Sequence, residues 1–269
     1  MALRVAWIGN SYTFYFDMPG MVTALAAGAS PPTAIEHKQT LHGGWTLGQH
    51  YRRAPDSAME PSGIGRVEGG ARDLLSHHGP FEHVVLQDQS QTPGYDTSSV
   101  SDADLAAALA ALSEAAAKHE HVKVDDFLKE GVDSGARGRG DSGPLNRAET
   151  LLRLREFYGP AIAACGAQPV LYSSWGRQHG QDNANAPAFA TFEGMLDALT
   201  AGTREYAAVL AERGGPPPRI APAGKAFSLI HDAGSGAPVH FDRLYVADQS
   251  HPSCTCPSPA LPRVLRSQA

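Results

Sequence analysis

Val5-Ala6-Trp7-Ile8-Gly9-Asn10-Ser11-Tyr12-Thr13 decides the fold of this chain. An apolar run of strand character ends in Gly-Asn-Ser. A stretch with helical spacing opens at Asp17, carrying Met18, Met21, Val22, Leu25 and Ala26, with Gly28 as its stop. The reading is a buried strand, a tight turn and an amphipathic helix. It leaves a serine hydroxyl at the end of a strand, beside a helix N-terminus. Free backbone N–H groups and the helix dipole favour negative charge at such a place. Ser11 is therefore a candidate nucleophile.

Further strands and helices alternate outward from this stretch. Thr33 to Leu41 has β character and runs into the loop His42-Gly43-Gly44-Trp45-Thr46-Leu47, then a short helix. A helix is expected over 67–77. Val84-Val85-Leu86 is a compact strand, followed by the polar run Gln87-Asp88-Gln89-Ser90-Gln91. Ser101 opens an Ala-rich helix with Leu105, Ala108, Leu109 and Leu112 on one face. Asn146 reads as a cap with Glu149 three residues on. Leu151, Leu154, Tyr158, Ile162 and Cys165 then form a buried stripe, with a kink expected at Pro160. Pro169-Val170-Leu171-Tyr172 is the fourth strand and leads into Ser173-Ser174-Trp175-Gly176-Arg177. Residues 191–213 give the clearest helix, ended by Pro216 to Pro218. Arg219-Ile220-Ala221-Pro222 is a fifth strand, and a small helix near 224–231 precedes the loop with Asp248 and His251.

This alternation predicts an α/β fold: a parallel sheet of about five strands, covered on both faces. In such sheets the loops at the strand C-termini gather on one edge, where ligands bind. Ser11, Gly44, Gln89 and Trp175 each follow a predicted strand, so the topology converges four loops that are distant in sequence. We read one domain over 1–253. Residues 119–144 read as a mobile insertion, because Gly135 to Gly143 is rich in glycine and charge and has no apolar period. Residues 254–269 read as an irregular tail.

Bulk composition narrows the classes. The chain has 269 residues, 42% hydrophobic and 19% charged, which suits a globular protein with a full core. Its net charge of −6 argues against nucleic acid as a partner. Three cysteines make no disulfide framework and point to a reducing compartment. No apolar run reaches membrane-spanning length, and Met1 leads directly into a strand without a signal-peptide pattern. The expectation is a cytoplasmic protein with no membrane partner; nothing in the sequence fixes an oligomeric state.

A serine hydroxyl needs a base within hydrogen-bond reach, and the base needs an orienting acceptor. Asp248-x-x-His251 can supply both from one turn. An oxyanion needs donors: the N–H of Ser11, the N–H of Gly44, where glycine permits close approach, and the side-chain amide of Gln89 are the candidates. Each residue also has a plainer reading. Ser11 can be a turn or cap residue, Gly43-Gly44 a turn, Gln89 a loop cap, and Asp248 with His251 a surface turn. Trp175 and Arg177 can line a substrate pocket or pack beside it. Cys254-x-Cys256 lacks the partners of a zinc site. Gly135 to Gly143 lacks the context of a phosphate loop, and no Gly-x-Ser-x-Gly elbow occurs. Neither a metal nor a cofactor is expected.

Four blocks stand in a telling order: Gly9-Asn10-Ser11-Tyr12-Thr13, Gly43-Gly44, the amide-bearing loop after Val84-Val85-Leu86, and Asp248-x-x-His251-Pro252-Ser253. This order resembles that of the SGNH (GDSL-type) hydrolases over nearly the whole chain. Trp175-Gly176-Arg177 and Ala221-Pro222-Ala223-Gly224-Lys225 are similar to the branch whose first block reads Gly-Asn-Ser-Tyr-Thr. The resemblance implies a flavodoxin-like three-layer α/β/α sandwich and a Ser–His–Asp triad: Ser11 as nucleophile, His251 as base, Asp248 as its orienter. Gly44 matches the oxyanion glycine of the second block, and Asn10, Trp175 and Arg177 are expected to contact substrate. Three departures stand out. Asn10 occupies a position that is aspartate in most members. Gln87-Asp88-Gln89 replaces Gly-x-Asn. Cys254-Thr255-Cys256-Pro257-Ser258-Pro259 follows the histidine where a closing helix is usual. The expected activity is metal-independent ester hydrolysis through an acyl-serine, on a small-molecule or carbohydrate ester such as an O-acetyl group. An acyltransferase with the same triad and a non-catalytic binding protein are the alternatives.

Overall fold

The computed structural model describes residues 2–52, 67, 69–98, 100–101, 103–104, 106–107, 110, 144–180, 189–212, 214–237 and 239–253. Five strands, β1 (Leu3–Gly9), β2 (Ile35–Leu41), β3 (His83–Leu86), β4 (Gln168–Ser173) and β5 (Arg219–Pro222), form one sheet in the order β2-β1-β3-β4-β5. Every neighbouring pair is parallel, with Trp7 level with Gln39 on one side and Val85 on the other. This is the flavodoxin-like order, in which the winding direction reverses between β1 and β3.

Side chains of a strand alternate between faces, and here both faces are covered. Ala6, Ile8, Val84, Leu86 and Leu171 point to one side. They meet Leu47 of α3 (Leu47–Arg52), Leu74 of α4 (Gly70–His77), Ile162 of α6 (Gly159–Ala164) and Tyr206 of α7 (Phe192–Ala211). α5 (Pro144–Arg153) runs on into α6. Val5, Trp7 and Val85 point to the other side, against Phe14 of α1 (Ser11–Phe14) and Met18 of α2 (Met18–Ala27). On that side Tyr12, Trp175 and Tyr245 form a further cluster with Phe227 of α8 (Ala223–Ala233). The result is the three-layer α/β/α sandwich. Burying one such aliphatic side chain contributes about 1.5–3 kcal/mol.

Several expectations shift. Between α5 and α6 the residues Leu154–Tyr158 form a π-helical turn, closed by the Gly159 N–H on the Leu154 carbonyl. The expected disturbance at Pro160 thus takes the form of a widened turn just ahead of it, where the proline ring and its missing N–H disrupt a regular α-turn. Asn146 does not cap a helix: α5 begins at Pro144, so Asn146 lies inside the first turn, buried. Glu149 turns to Arg52 at 2.8 Å instead of reaching back to a cap. On α2, Val22 and Leu25 are exposed, at 36% and 66%, against the expected buried face. The helix is apolar nearly all round, so spacing could not select a side. The Ser101 helix positions Leu105, Ala108, Leu109 and Leu112, the 119–144 insertion apart from its last residue, and the 254–269 tail lie outside the described residues. Among the described residues, no helix is long and apolar enough to cross a membrane.

Candidate active site

The winding reverses between β1 and β3, the place where sheets of this order bind ligands at the strand C-termini. Gly9 closes β1 where a Cβ would lie 2.6 Å from Thr13 Oγ1 and 2.8 Å from Gln87 Oε1, so a larger residue would have to displace that hydrogen-bonded pair. Asn10 follows. Its Oδ1 accepts the Tyr12 N–H at 3.1 Å and so caps α1. Its Nδ2 donates to the carbonyls of Trp45, at 3.0 Å, and Asp88, at 3.3 Å. One side chain thereby ties together the loops after β1, β2 and β3. With 2% exposure and every polar atom of its side chain engaged, Asn10 is a structural cap and not the substrate contact expected of it.

Ser11 is the first residue of α1 and is half-buried. Its Oγ lies 2.7 Å from His251 Nε2. His251 Nδ1 lies 2.5 Å from Asp248 Oδ2, and the other carboxylate oxygen accepts the backbone N–H groups of Ser250 and His251, each at 2.9 Å. An ionised carboxylate only accepts, so Nδ1 carries the proton and Nε2 faces the serine O–H with its lone pair. Burial would raise the Asp248 carboxyl, but the His251 ring and the two backbone donors outweigh it and hold the group below its usual range. Tyr15 stacks on the imidazole, with ring centres 4.5 Å apart.

Hydrogen bonds from distant elements hold the histidine loop. Trp175 Nε1 donates to the Ser250 carbonyl at 3.0 Å, Tyr245 Oη to the Gly176 carbonyl at 2.7 Å, and the Gln178 N–H to the Gln249 carbonyl at 3.0 Å. These bonds tie the loop to the segment after β4. They also correct the expectation for Trp175: at 2% exposure, stacked between Tyr12 and Phe227, it belongs to the core. Arg177 is half-buried beside the Tyr12 hydroxyl, and its N–H points to Met195 Sδ at 3.3 Å.

The second loop carries Gly44 in a turn closed by the Trp45 N–H on the His42 carbonyl, with φ +74 at Gly44. Among the described residues, the N–H groups of Ser11 and Gly44 donate to no protein acceptor. Under this turn His42 stacks on Trp45 at 3.8 Å, and His50 meets Trp45 edge-on at 5.1 Å. His50 Nε2 donates to the Gly9 carbonyl at 2.8 Å, and burial pushes this imidazole down to about 3. Gln89 does not extend freely from the third loop. Its Oε1 accepts the Gln91 N–H at 2.7 Å and its Nε2 points to Ser90 Oγ at 3.3 Å, so the amide caps its own turn. This matches the plainer of its two readings, a loop cap, for the carbonyl end of the amide.

Sequence reasoning passed over Asp88, the hinge of the third loop. Its Oδ1 accepts the N–H groups of Leu47 and Gln89, each at 2.9 Å, and its Oδ2 accepts the Tyr206 hydroxyl at 2.8 Å. Burial pushes its carboxyl up to about 6. A charge bracketed by amides directly after a buried strand was the available signal. Tyr12 and Ser250 were also passed over, although they adjoin Ser11 and His251 in sequence. Among the described residues, no group of three or more His, Cys, Asp or Glu side chains could hold a metal ion.

No protein-family model matches the sequence, and no curated protein matches it. Among solved structures the chain is similar to a phospholipase A1 from Streptomyces albidoflavus NA297, at 14% identity and TM-score 0.33. It is also similar to an extracellular lipase from Streptomyces rimosus, at 14% identity and TM-score 0.36. Each match covers 94% of this chain and 93% of the other. Likeness this loose carries no argument about activity, which rests on the residues themselves.

Proposed function

We propose that the protein is a serine esterase. The observation that carries the reading is the continuous chain Ser11 Oγ–His251 Nε2–His251 Nδ1–Asp248 Oδ2, with links of 2.7 and 2.5 Å between residues. His251 takes the Ser11 proton as Oγ attacks an ester carbonyl, and the resulting imidazolium is stabilised by Asp248. The N–H groups of Ser11 and Gly44 are the proposed donors to the oxyanion. His251 then gives its proton to the departing alcohol, leaving an acyl-serine. Water, deprotonated by the same nitrogen, releases the acid and restores Ser11. Hydrolysis is favoured over transfer by the openness of the site: the Asp248 side chain is 46% exposed and that of His251 23%. The acyl group we propose is short, with acetyl on a carbohydrate as the case the family resemblance suggests.

The test is Ser11→Ala against wild type on p-nitrophenyl acetate, with labelling by a fluorophosphonate probe. Wild type should hydrolyse the ester and label at Ser11; the variant should lose both, with a rate loss of about a thousandfold or more. Equal hydrolysis by the two proteins overturns the assignment. A folded wild type that never labels favours a binding protein instead.

A further inference from the structure

Ser11 and Tyr12 are neighbours in sequence, as are Ser250 and His251, and the two pairs meet side by side. Ser11 Oγ lies 2.7 Å from His251 Nε2, and Tyr12 Oη lies 2.5 Å from Ser250 Oγ. The second contact is buried, with Tyr12 at 3% and Ser250 at 7% exposure. All three polar groups of Ser250 are committed. Its N–H donates to Asp248, its carbonyl accepts from Trp175, and its hydroxyl pairs with Tyr12. The Tyr12 ring is itself clamped. It stacks on Trp175 at 4.6 Å with an interplanar angle of 4°, and its neighbour His251 stands at 5.3 Å and 69° to it.

The orienting carboxylate is less secluded. Asp248 is 46% exposed, and solvent screening weakens the grip of such a carboxylate on an imidazole. Gln249, between Asp248 and Ser250, holds a left-handed backbone at φ 59. A non-glycine residue keeps that conformation only where its surroundings hold it. The hold on the Ser250 side comes from Tyr12 and Trp175. We propose that Tyr12 is a positioning residue for the base. Its hydroxyl, through Ser250, fixes the backbone from which His251 extends, and its ring limits the swing of the imidazole. The residue after the nucleophile thus sets the residue before the base. This inference rests on the esterase reading above.

The experiment compares wild type, Tyr12→Phe, Ser250→Ala and the double variant. Hydrolysis of p-nitrophenyl acetate, the rate of fluorophosphonate labelling and the melting temperature are read for each. Each single variant should lower kcat and the labelling rate about tenfold with KM unchanged, because the base is displaced and binding is not. The double variant should lose well less than the product of the two single losses, since both changes delete the shared Tyr12–Ser250 contact, while Tyr12→Phe also removes the contacts of its hydroxyl with Ser90 and Arg177. A merely structural tyrosine would lower the melting temperature and leave kcat per folded molecule intact; that result overturns the proposal, as does a multiplicative loss in the double variant. Should Ser250→Ala fail to fold, Tyr12→Phe is judged by nitrogen-15 NMR of the His251 ring. Faster exchange of its Nδ1 proton supports the role, and an unchanged spectrum overturns it. Wild type that labels at Ser11 while Tyr12→Phe labels equally fast removes the positioning role and leaves the esterase; wild type that never labels removes both.

Discussion

At the scale of single residues, Asn10 shows how one side chain can settle the geometry of three loops. It accepts one N–H and donates to two carbonyls. Aspartate at this position could still cap α1 but could not donate, and its charge would face the Trp45 and Asp88 carbonyls. Asn10→Asp is therefore expected to cost about 1–3 kcal/mol of stability, measured by urea unfolding. The hydrogen-bonded row of Ser11, His251 and Asp248 was legible as a candidate because such chemistry needs rare neighbours, a serine at a strand end and Asp-x-x-His in one turn. For Asn10, Trp175 and Gln89 the sequence could not choose between a role at the site and a local structural one, for a common reason. Their side chains have partners from distant segments or their own turn, and a linear sequence does not state whether a polar or aromatic group near a site is already engaged.

At the scale of elements, the second loop is the sharpest case. Gly44 sits at φ +74 with open space where a Cβ would be. Gly44→Ala should therefore lose about 1 kcal/mol from the left-handed backbone alone, without a clash, in thermal unfolding. If its N–H serves the oxyanion, kcat should fall further than that loss explains, because the peptide would rotate to relieve the strain. Strand positions were legible from short apolar runs, and each observed strand lies within two residues of its expected bounds. Helix faces were legible only where the periodic contrast was strong. Of the face expected for α7, Phe192, Met195, Leu199, Tyr206 and Leu210 are buried and Leu196 is half-buried, whereas the uniformly apolar α2 exposes Leu25. The π-helical turn before Pro160 has a readable cause, but which turn widens is settled by packing of Leu154 and Tyr158 into the core.

At the scale of the whole molecule, two buried titratable groups beneath the site oppose one another. His50 falls to about 3 and Asp88 rises to about 6, both through burial. The unfolded chain binds a proton on His50 more readily than the fold does, so this group withdraws stability as pH drops from 6.5 towards 3. Asp88 has the opposite sign: the fold holds its proton more tightly, so stability is regained as pH drops from 6 towards 3.8. Over the shared window the two slopes offset. Asp88→Asn keeps an acceptor for the Leu47 and Gln89 N–H groups and removes the titration. The variant should then lose stability more steeply than wild type between pH 6 and 4, by about 1.4 kcal/mol per pH unit, in urea unfolding over a pH series. Parallel slopes for the two proteins would refute the offset. The sequence by itself determined the α/β class, the strand succession and the triad candidates, because hydrophobic period and turn chemistry are local properties of the chain. Only the tertiary structure decided which polar groups the fold uses up and which it leaves without a protein partner among the described residues. That outcome depends on burial and on hydrogen-bond partners often dozens or hundreds of residues away, as between Tyr12 and Ser250.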